Sequence, residues 1–516
     1  MASDARIPDH GRPADELLAE IDARHADDID WRGGRAFSLV YNVDDHAHED
    51  LIEQVGVRYL HDNALNPFKY PSVLQMELDI IAMACQLLGT EPNCGAVSSG
   101  GTESIFLAVQ VARDHARAVR GIAEPQLLTP ATAHPAFAKA AKYLDVEHVL
   151  VPVGADGRAD VAATEAAITD RTGLVVGSAP CYPYGVIDPI EQLAGLAQDR
   201  GILFHTDACL GGWLLPWWER LGEPVPPWDF RVPGVTSISA DVHKYGYTFK
   251  GASTVLYRSR DLLEHQFFWY DAGRAACTPR APRAPRSAAP IAGAWAAINH
   301  LGVDGYLRLA EVVRDITRRL QDGIRAIDGM RIAHDPDMSL FEFGLDVHDI
   351  GAIGDVMDDR AGTWTANRAG CTWMISLYSM PGSSIRSSSR TWPTRSGTTA
   401  TAAGPRRPTG VSCERARAGG GRGPGRRPEP PDGPDQGADP GQGRRWGASS
   451  PTPCWPPAAS VVAVGGERSV AADLWLDPVE DRRPGLGPRR HRHRRDGRRR
   501  RHRAGACAPR RRTDPT

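Results

Sequence analysis

Two lysines stand close together in SADVHKYGYTFKG (Ser239 to Gly251), in a chain that otherwise hardly uses lysine. Only Lys69, Lys139, Lys142, Lys244 and Lys250 occur, and arginine carries the rest of the positive charge. Arginine stays protonated in proteins, whereas a desolvated lysine can lose its proton and act as an amine nucleophile. A lysine kept here in preference to arginine points to imine chemistry with a carbonyl compound. Lys244, which follows a short apolar strand ending near Ala240, is the candidate nucleophile.

Three other stretches could supply the groups such chemistry needs. In CGAVSSGGTESIFLAVQVARDHA a turn of small residues runs into an amphipathic helix, so the backbone N–H groups near Gly101 and Thr102 can bind a phosphate at the positive end of the helix dipole. A plain serine–glycine helix cap explains the same residues, and the GxGxxG and GxxxxGK spacings of nucleotide sites are absent. GILFHTDACLGGWLLP puts Asp207 at the end of an apolar strand, where open parallel sheets bind ligands. A carboxylate buried there needs a cation, while a helix cap or a solvated loop is the alternative. His134, in LLTPATAHPAFAKAAKYL, sits between a strand and a helix and could stack on a flat ring, or simply serve the helix start. Phosphate cradle, stacking ring, strand-end carboxylate and lysine, in that order, fit pyridoxal phosphate. That cofactor needs an imine-forming lysine, a carboxylate on its pyridine nitrogen and a helix start for its phosphate.

The elements that must position these residues follow from hydrophobic patterning. VEHVLVPV, TGLVVGSAP, GILFHTDAC, VTSISADVH and STVLYRS are short β-branched runs separated by helix-length segments. That alternation predicts an α/β fold with a mainly parallel sheet and helices on both faces. In the crossover segment PIEQLAGLAQDR, Ile190, Leu193, Leu196 and Ala197 recur at helical spacing and predict one buried stripe.

Composition bounds the rest. A chain of 516 residues can bury a large core. No apolar run is expected to span a bilayer and the N-terminus lacks a signal-peptide core. Nine cysteines without a CxxC pair suit a reducing cytoplasm. His46 and His48 in DDHAHED could ligate a metal, but a solvated acidic face is the expectation and no metal site is assigned. Beyond Ala361 neither apolar period persists, and Arg, Gly, Pro, Ala and Ser dominate through RRHRHRRDGRRRRHR. Such a segment is expected to be disordered. Its composition is that of a GC-rich gene read in another frame; a basic nucleic-acid-binding tail is the weaker reading, since no aromatic residues punctuate the arginine run.

SSGGTES, TAHPAFAKAAKYLDVE, HTDACLGGW and SADVHKYGYTFKGASTVLY resemble the sphingosine-1-phosphate lyase branch of the group II pyridoxal-phosphate-dependent decarboxylase family. The likeness begins near Trp31, runs to Tyr270, resumes at IAGAWAAINHLGVDGY and continues to about Arg360. It implies the type I fold of pyridoxal-phosphate enzymes, with a seven-stranded sheet in the large domain, and a homodimer. Lys244 would form the internal aldimine with His243 beside it, Asp207 would pair with the pyridinium nitrogen and His134 would stack on the ring. Gly101 and Thr102 would hold the cofactor phosphate and Lys250 the phosphate of the substrate, while Tyr41 and Asn63 would reach over from the partner subunit. The implied substrate is a small amine or amino acid. Cleavage would fall on the C2–C3 bond of a phosphorylated amino alcohol, or on a carboxylate in the decarboxylase alternative. An inactive remnant with an arginine-rich nucleic-acid-binding tail is the alternative of another class.

Three departures stand out. Asn66 in NALN replaces a histidine of the lyases' substrate-phosphate site. AGRAACTPRAPRAP (Ala272 to Pro285) interrupts matching flanks, as a pair of compensating frame changes would. The match ends near Arg360, so the C-terminal small domain is apparently lost, and a chain lacking it is expected to hold the cofactor poorly and turn over slowly. The implied organisation is an N-terminal segment with the dimer-exchange region over 1–70, a cofactor-binding large domain over 71–300, the start of a small domain over 301–360, and the tail over 361–516.

Overall fold

The computed structural model describes residues 5–26, 28, 31–32, 40–43, 45–65, 69–268 and 286–345, together with the strand backbones at 366–367 and 372–376. Asn66 and the insert over 272–285 lie outside the described residues. Three helices lead in: α1 (Ala14–His25), α2 (His46–Arg58) and α3 (Pro71–Leu88). Strands and helices then alternate as β1 (Gly95–Ser98), α4 (Gly101–Arg120), β2 (Gln126–Pro130), α5 (Ala136–Leu144), β3 (Glu147–Val151), α6 (Val161–Ala167), β4 (Thr172–Ser178), α7 (Ile190–Asp199) and β5 (Leu203–Asp207). The short α8 (Leu215–Arg220), β6 (Ser237–Ala240), β7 (Ser253–Tyr257) and α9 (Arg260–Glu264) complete the large domain. The long α10 (Ala289–Arg325) leads to β8 (Met330–Ala333), β9 (Leu340–Leu345), β10 (Ala366–Asn367) and β11 (Thr372–Ser376).

The main sheet has seven strands in the order β1-β7-β6-β5-β4-β2-β3. All neighbouring pairs from β6 to β3 are parallel, and β7 runs antiparallel between β6 and β1. Strands β4, β6 and β7 are buried throughout, as strands covered on both faces must be. Each apolar side chain so buried contributes about 1.5–3 kcal/mol relative to exposure. The stripe of α7 consists of Ile190, Leu193, Ala194 and Ala197. Leu196 is only half-buried, because it lies at the edge of the stripe those four residues define.

Other expectations change. Helix α3 is long and apolar enough to cross a membrane, with a mean hydropathy of 1.2. Val73, Ile80, Ile81, Cys85 and Leu88 of that helix are instead buried in the protein's own core. His48 does not lie on a solvated face; it is 1% exposed, whereas His46 is exposed. The 300/301 boundary falls inside α10, near Gly302, whose φ of 54° breaks the helix. Part of the region beyond 361 also carries structure, since β11 pairs antiparallel with β9 in a four-stranded sheet of order β10-β11-β9-β8. The β-forming run TWMIS accounts for that strand.

Candidate active site

The carboxyl ends of the strands deliver one cavity of about 540 Å³. After β1 come Ser99 to Glu103 and after β2 His134; Ser178 ends β4 and Pro180 follows it, Asp207 ends β5 and Cys209 follows it, and after β6 come Asp241, His243 and Lys244. Tyr41, Tyr182 and Lys250 also line it. A volume of this size suits a small cofactor with its substrate.

Helix α4 begins at Gly101 with no side-chain cap on its first N–H groups. Those donors and the positive end of a helix of 20 residues form an anion cradle. Gly101 is required by packing: a Cβ there would lie 2.6 Å from Cys209 Sγ and 2.9 Å from Asp241 Oδ2. Glu103, in the first turn, accepts a hydrogen bond from the Ser99 N–H at 2.6 Å and holds the turn before the cradle.

The lysine loop between β6 and β7 is pinned from several sides. The His243 N–H donates to the Ala252 carbonyl at 2.9 Å, and its ring Nδ1 accepts from the Ala252 N–H at 3.2 Å. His48 donates from Nε2 to the Tyr247 carbonyl at 2.8 Å, and the Tyr306 hydroxyl donates to the Gly246 carbonyl at 3.2 Å. The Tyr245 and Ser339 hydroxyls lie 2.5 Å apart. Helices α2 and α10 thus fix the loop carrying Lys244, whose ammonium lies 3.0 Å from the buried Asp241 Oδ2. Burial pushes the His243 imidazole down to about 4, so it is neutral at neutral pH.

Asp207 is 8% exposed, and its Oδ1 accepts from the Cys209 N–H at 3.1 Å and the Ser239 hydroxyl at 3.2 Å. His134 Nδ1 accepts from the Ala136 N–H at 3.1 Å, which orients the ring, and Tyr182 packs edge-on at 6.1 Å. Lys250 stands at the cavity with its ammonium 4.5 Å from the Tyr41 ring centroid and 3.2 Å from the His243 carbonyl. Although Lys250 keeps solvent contact, the atoms packed round its ammonium strip away water, and with Lys244 nearby its pKa falls to about 8.

The cavity therefore brings together Lys244, Asp207, His134, Gly101, Thr102, His243, Lys250 and Tyr41. Tyr41 stands at the cavity of its own chain, packed edge-on against Tyr245 at 5.3 Å and beneath Lys250. Asn63 is not among the residues lining the cavity; its Oδ1 accepts from the Leu65 N–H at 2.9 Å and its backbone bridges to Ser287. Asp241 was missed at the level of sequence, although its place three residues before Lys244 was the available signal. Nothing in the sequence singled out Tyr182.

These residues fit pyridoxal phosphate: an amine for its aldehyde, a carboxylate for its ring nitrogen, a ring to stack and a helix start for its phosphate. The conserved domain of pyridoxal-dependent decarboxylases matches residues 58–346. The sphingosine-1-phosphate lyase of Arabidopsis thaliana is 40% identical over 364 residues, covering 68% of this chain and 66% of that protein. An L-aspartate decarboxylase of Thermococcus kodakarensis is 32% identical over 344 residues, covering 66% of this chain and 86% of its own length. The solved sphingosine-1-phosphate lyase of Burkholderia pseudomallei superposes with a TM-score of 0.70 at 36% identity, covering 74% of this chain and 91% of that one. The chain spans about two thirds of the length of the curated lyases it matches. The cofactor implied by the lysine loop and the sequence profile that matches more than half of the chain agree, and the chain belongs to the pyridoxal-dependent decarboxylase family.

Proposed function

We propose that the protein is a pyridoxal-phosphate-dependent carbon–carbon lyase acting on a phosphorylated amino alcohol, as its relatives' names suggest. The observation that carries this reading is the pairing of two cationic groups at one cavity. Lys244 lies deep against Asp241, and Lys250 stands apart beside Tyr41 where a second anion would enter. When bound, pyridoxal phosphate supplies an aldehyde for the substrate amine and a ring that accepts the electron pair of the breaking bond. Lys244 Nζ gives the covalent attachment point and afterwards an amine able to take up or return a proton. Asp207 holds a proton on the ring nitrogen, His134 keeps the ring plane fixed, and the α4 N–H groups anchor the cofactor phosphate. Lys250 attracts the substrate's phosphate.

An amino-acid decarboxylase is the second reading, favoured by the aspartate decarboxylase that matches over 86% of its length. Aldehyde release from phosphorylated sphingoid bases, measured against carbon dioxide release from amino acids, separates the two. Carbon dioxide without aldehyde would overturn the lyase assignment.

The same reading includes a homodimer, supported by the family, which sedimentation of the purified chain tests, and a cytoplasmic location, supported by the cysteine usage. It also includes a change of reading frame behind 272–285 and most of 361–516, supported by their composition; an uninterrupted frame on resequencing would end that part. With the small domain altered, slow turnover is expected.

A further inference from the structure

Strands β5 and β6 pair in parallel with His205 beside Ser237 and Asp207 beside Ser239. Residues two apart on a strand share a face, so these four side chains line one side of the sheet. His205 is fully buried, with Nδ1 2.9 Å from Ser237 Oγ and Nε2 3.2 Å from Ser239 Oγ. Ser239 in turn donates to Asp207 Oδ1 at 3.2 Å. An ionised carboxylate only accepts, so the single Ser239 proton is committed to Asp207. Ser239 can then only accept from His205, which must carry its proton on Nε2. Nδ1 is left as an acceptor for the Ser237 hydroxyl. The direction of every hydrogen bond follows from the carboxylate end. The Cys209 thiol, 3.3 Å away, also donates to Ser239 Oγ. Burial lowers the His205 pKa to about 4, so the neutral ring keeps the one donor and one acceptor this chain requires.

We propose that Ser239 and His205 are positioning residues for Asp207: the chain Ser237–His205–Ser239 holds Oδ1 in place and leaves Oδ2 for the ring nitrogen of pyridoxal phosphate. The inference rests on the reading of Asp207 as the partner of that nitrogen. Three things a merely structural hydroxyl would not move are cofactor affinity, the pH profile of the bound cofactor's visible absorbance, and rescue by a donor-retaining variant.

The test titrates the purified full-length chain with pyridoxal phosphate and follows that absorbance. Ser239→Ala is expected to weaken cofactor binding about tenfold, the worth of one hydrogen bond to a charged group, and to shift the pH profile. His205→Leu should do the same, while His205→Gln, whose amide can replace the Nε2–H donor, should stay within about threefold of the parent. Parent-like affinity and an unchanged profile in Ser239→Ala would overturn the proposal. If His205→Leu fails to fold, Ser239→Ala decides alone, because it removes one oxygen from a packed strand. A parent chain whose absorbance does not change on adding cofactor, or does so equally after Lys244→Ala, would instead defeat the reading of the site itself.

Discussion

Lys244 Nζ lies 3.0 Å from Oδ2 of Asp241, three residues earlier on the same turn, and only 2% of the Asp241 side chain is exposed. Burial by itself pushes this carboxyl up, but Lys244, His243 and Ser253 together outweigh it and hold the group below its ordinary value. A carboxylate this close favours the charged form of the amine, whereas attachment to an aldehyde needs it neutral. Asp241→Asn is therefore expected to load cofactor covalently at a pH about one unit lower than the parent. Visible absorbance recorded against pH checks this; an unmoved midpoint would show that the pair does not govern attachment.

Lys244→Ala should abolish the visible absorbance of lysine-linked cofactor and reduce turnover by about a thousandfold or more, as loss of a covalent catalyst does. His134→Ala should weaken cofactor binding by about three- to tenfold, and His134→Phe should recover most of it, because the ring's contribution is stacking. Equilibrium titration of all three variants distinguishes these roles, and equal losses in His134→Ala and His134→Phe would count against stacking.

Lys250, with its pKa lowered to about 8 by burial and by Lys244, loses its charge as the pH rises through that value. Affinity for a phosphorylated substrate should therefore decline on the alkaline side of about 8. Lys250→Arg, which stays charged, should remove that decline. Substrate KM measured across the range, with kcat followed separately, is the check.

His205 and His243 have pKa values lowered to about 4 from an ordinary 6.5 by burial. Above 6.5 neither the folded nor the unfolded chain holds these protons; below it only the unfolded chain takes them up, until the folded groups titrate near 4. Stability should therefore fall as pH drops from about 6.5 to about 4 and then level off for these groups. The contribution of His205 is on the order of 3 kcal/mol. Denaturant midpoints measured against pH should fall less steeply in His205→Gln, and an unchanged slope would assign the acid sensitivity elsewhere.

Much of the large domain was legible before the structure. The runs TGLVVGSAP, GILFHTDAC and VTSISADVH became β4, β5 and β6 because continuous β-branched stretches separated by helix-length segments have few other ways to bury themselves. Their register placed Ser178, Asp207 and Ser239 side by side, as parallel pairing of adjacent strand ends requires. The burial of His48 was not legible. Its acidic neighbours read as a surface, and the carbonyl of Tyr247, almost two hundred residues away, gives the imidazole a hydrogen-bond partner inside.

The residue types alone determined the chemistry: a lysine where arginine would serve for charge, a strand-end carboxylate and an uncapped glycine-rich helix start. Each is a local choice, made by what one side chain or one turn can do. Tertiary structure decided which of these groups share a cavity. It placed Tyr41 beside Lys250, left Asn63 out of the lining and connected Asp207 through Ser239 to a buried histidine. Those contacts depend on strand order and helix packing, which join residues far apart in the chain and leave no periodic trace in it.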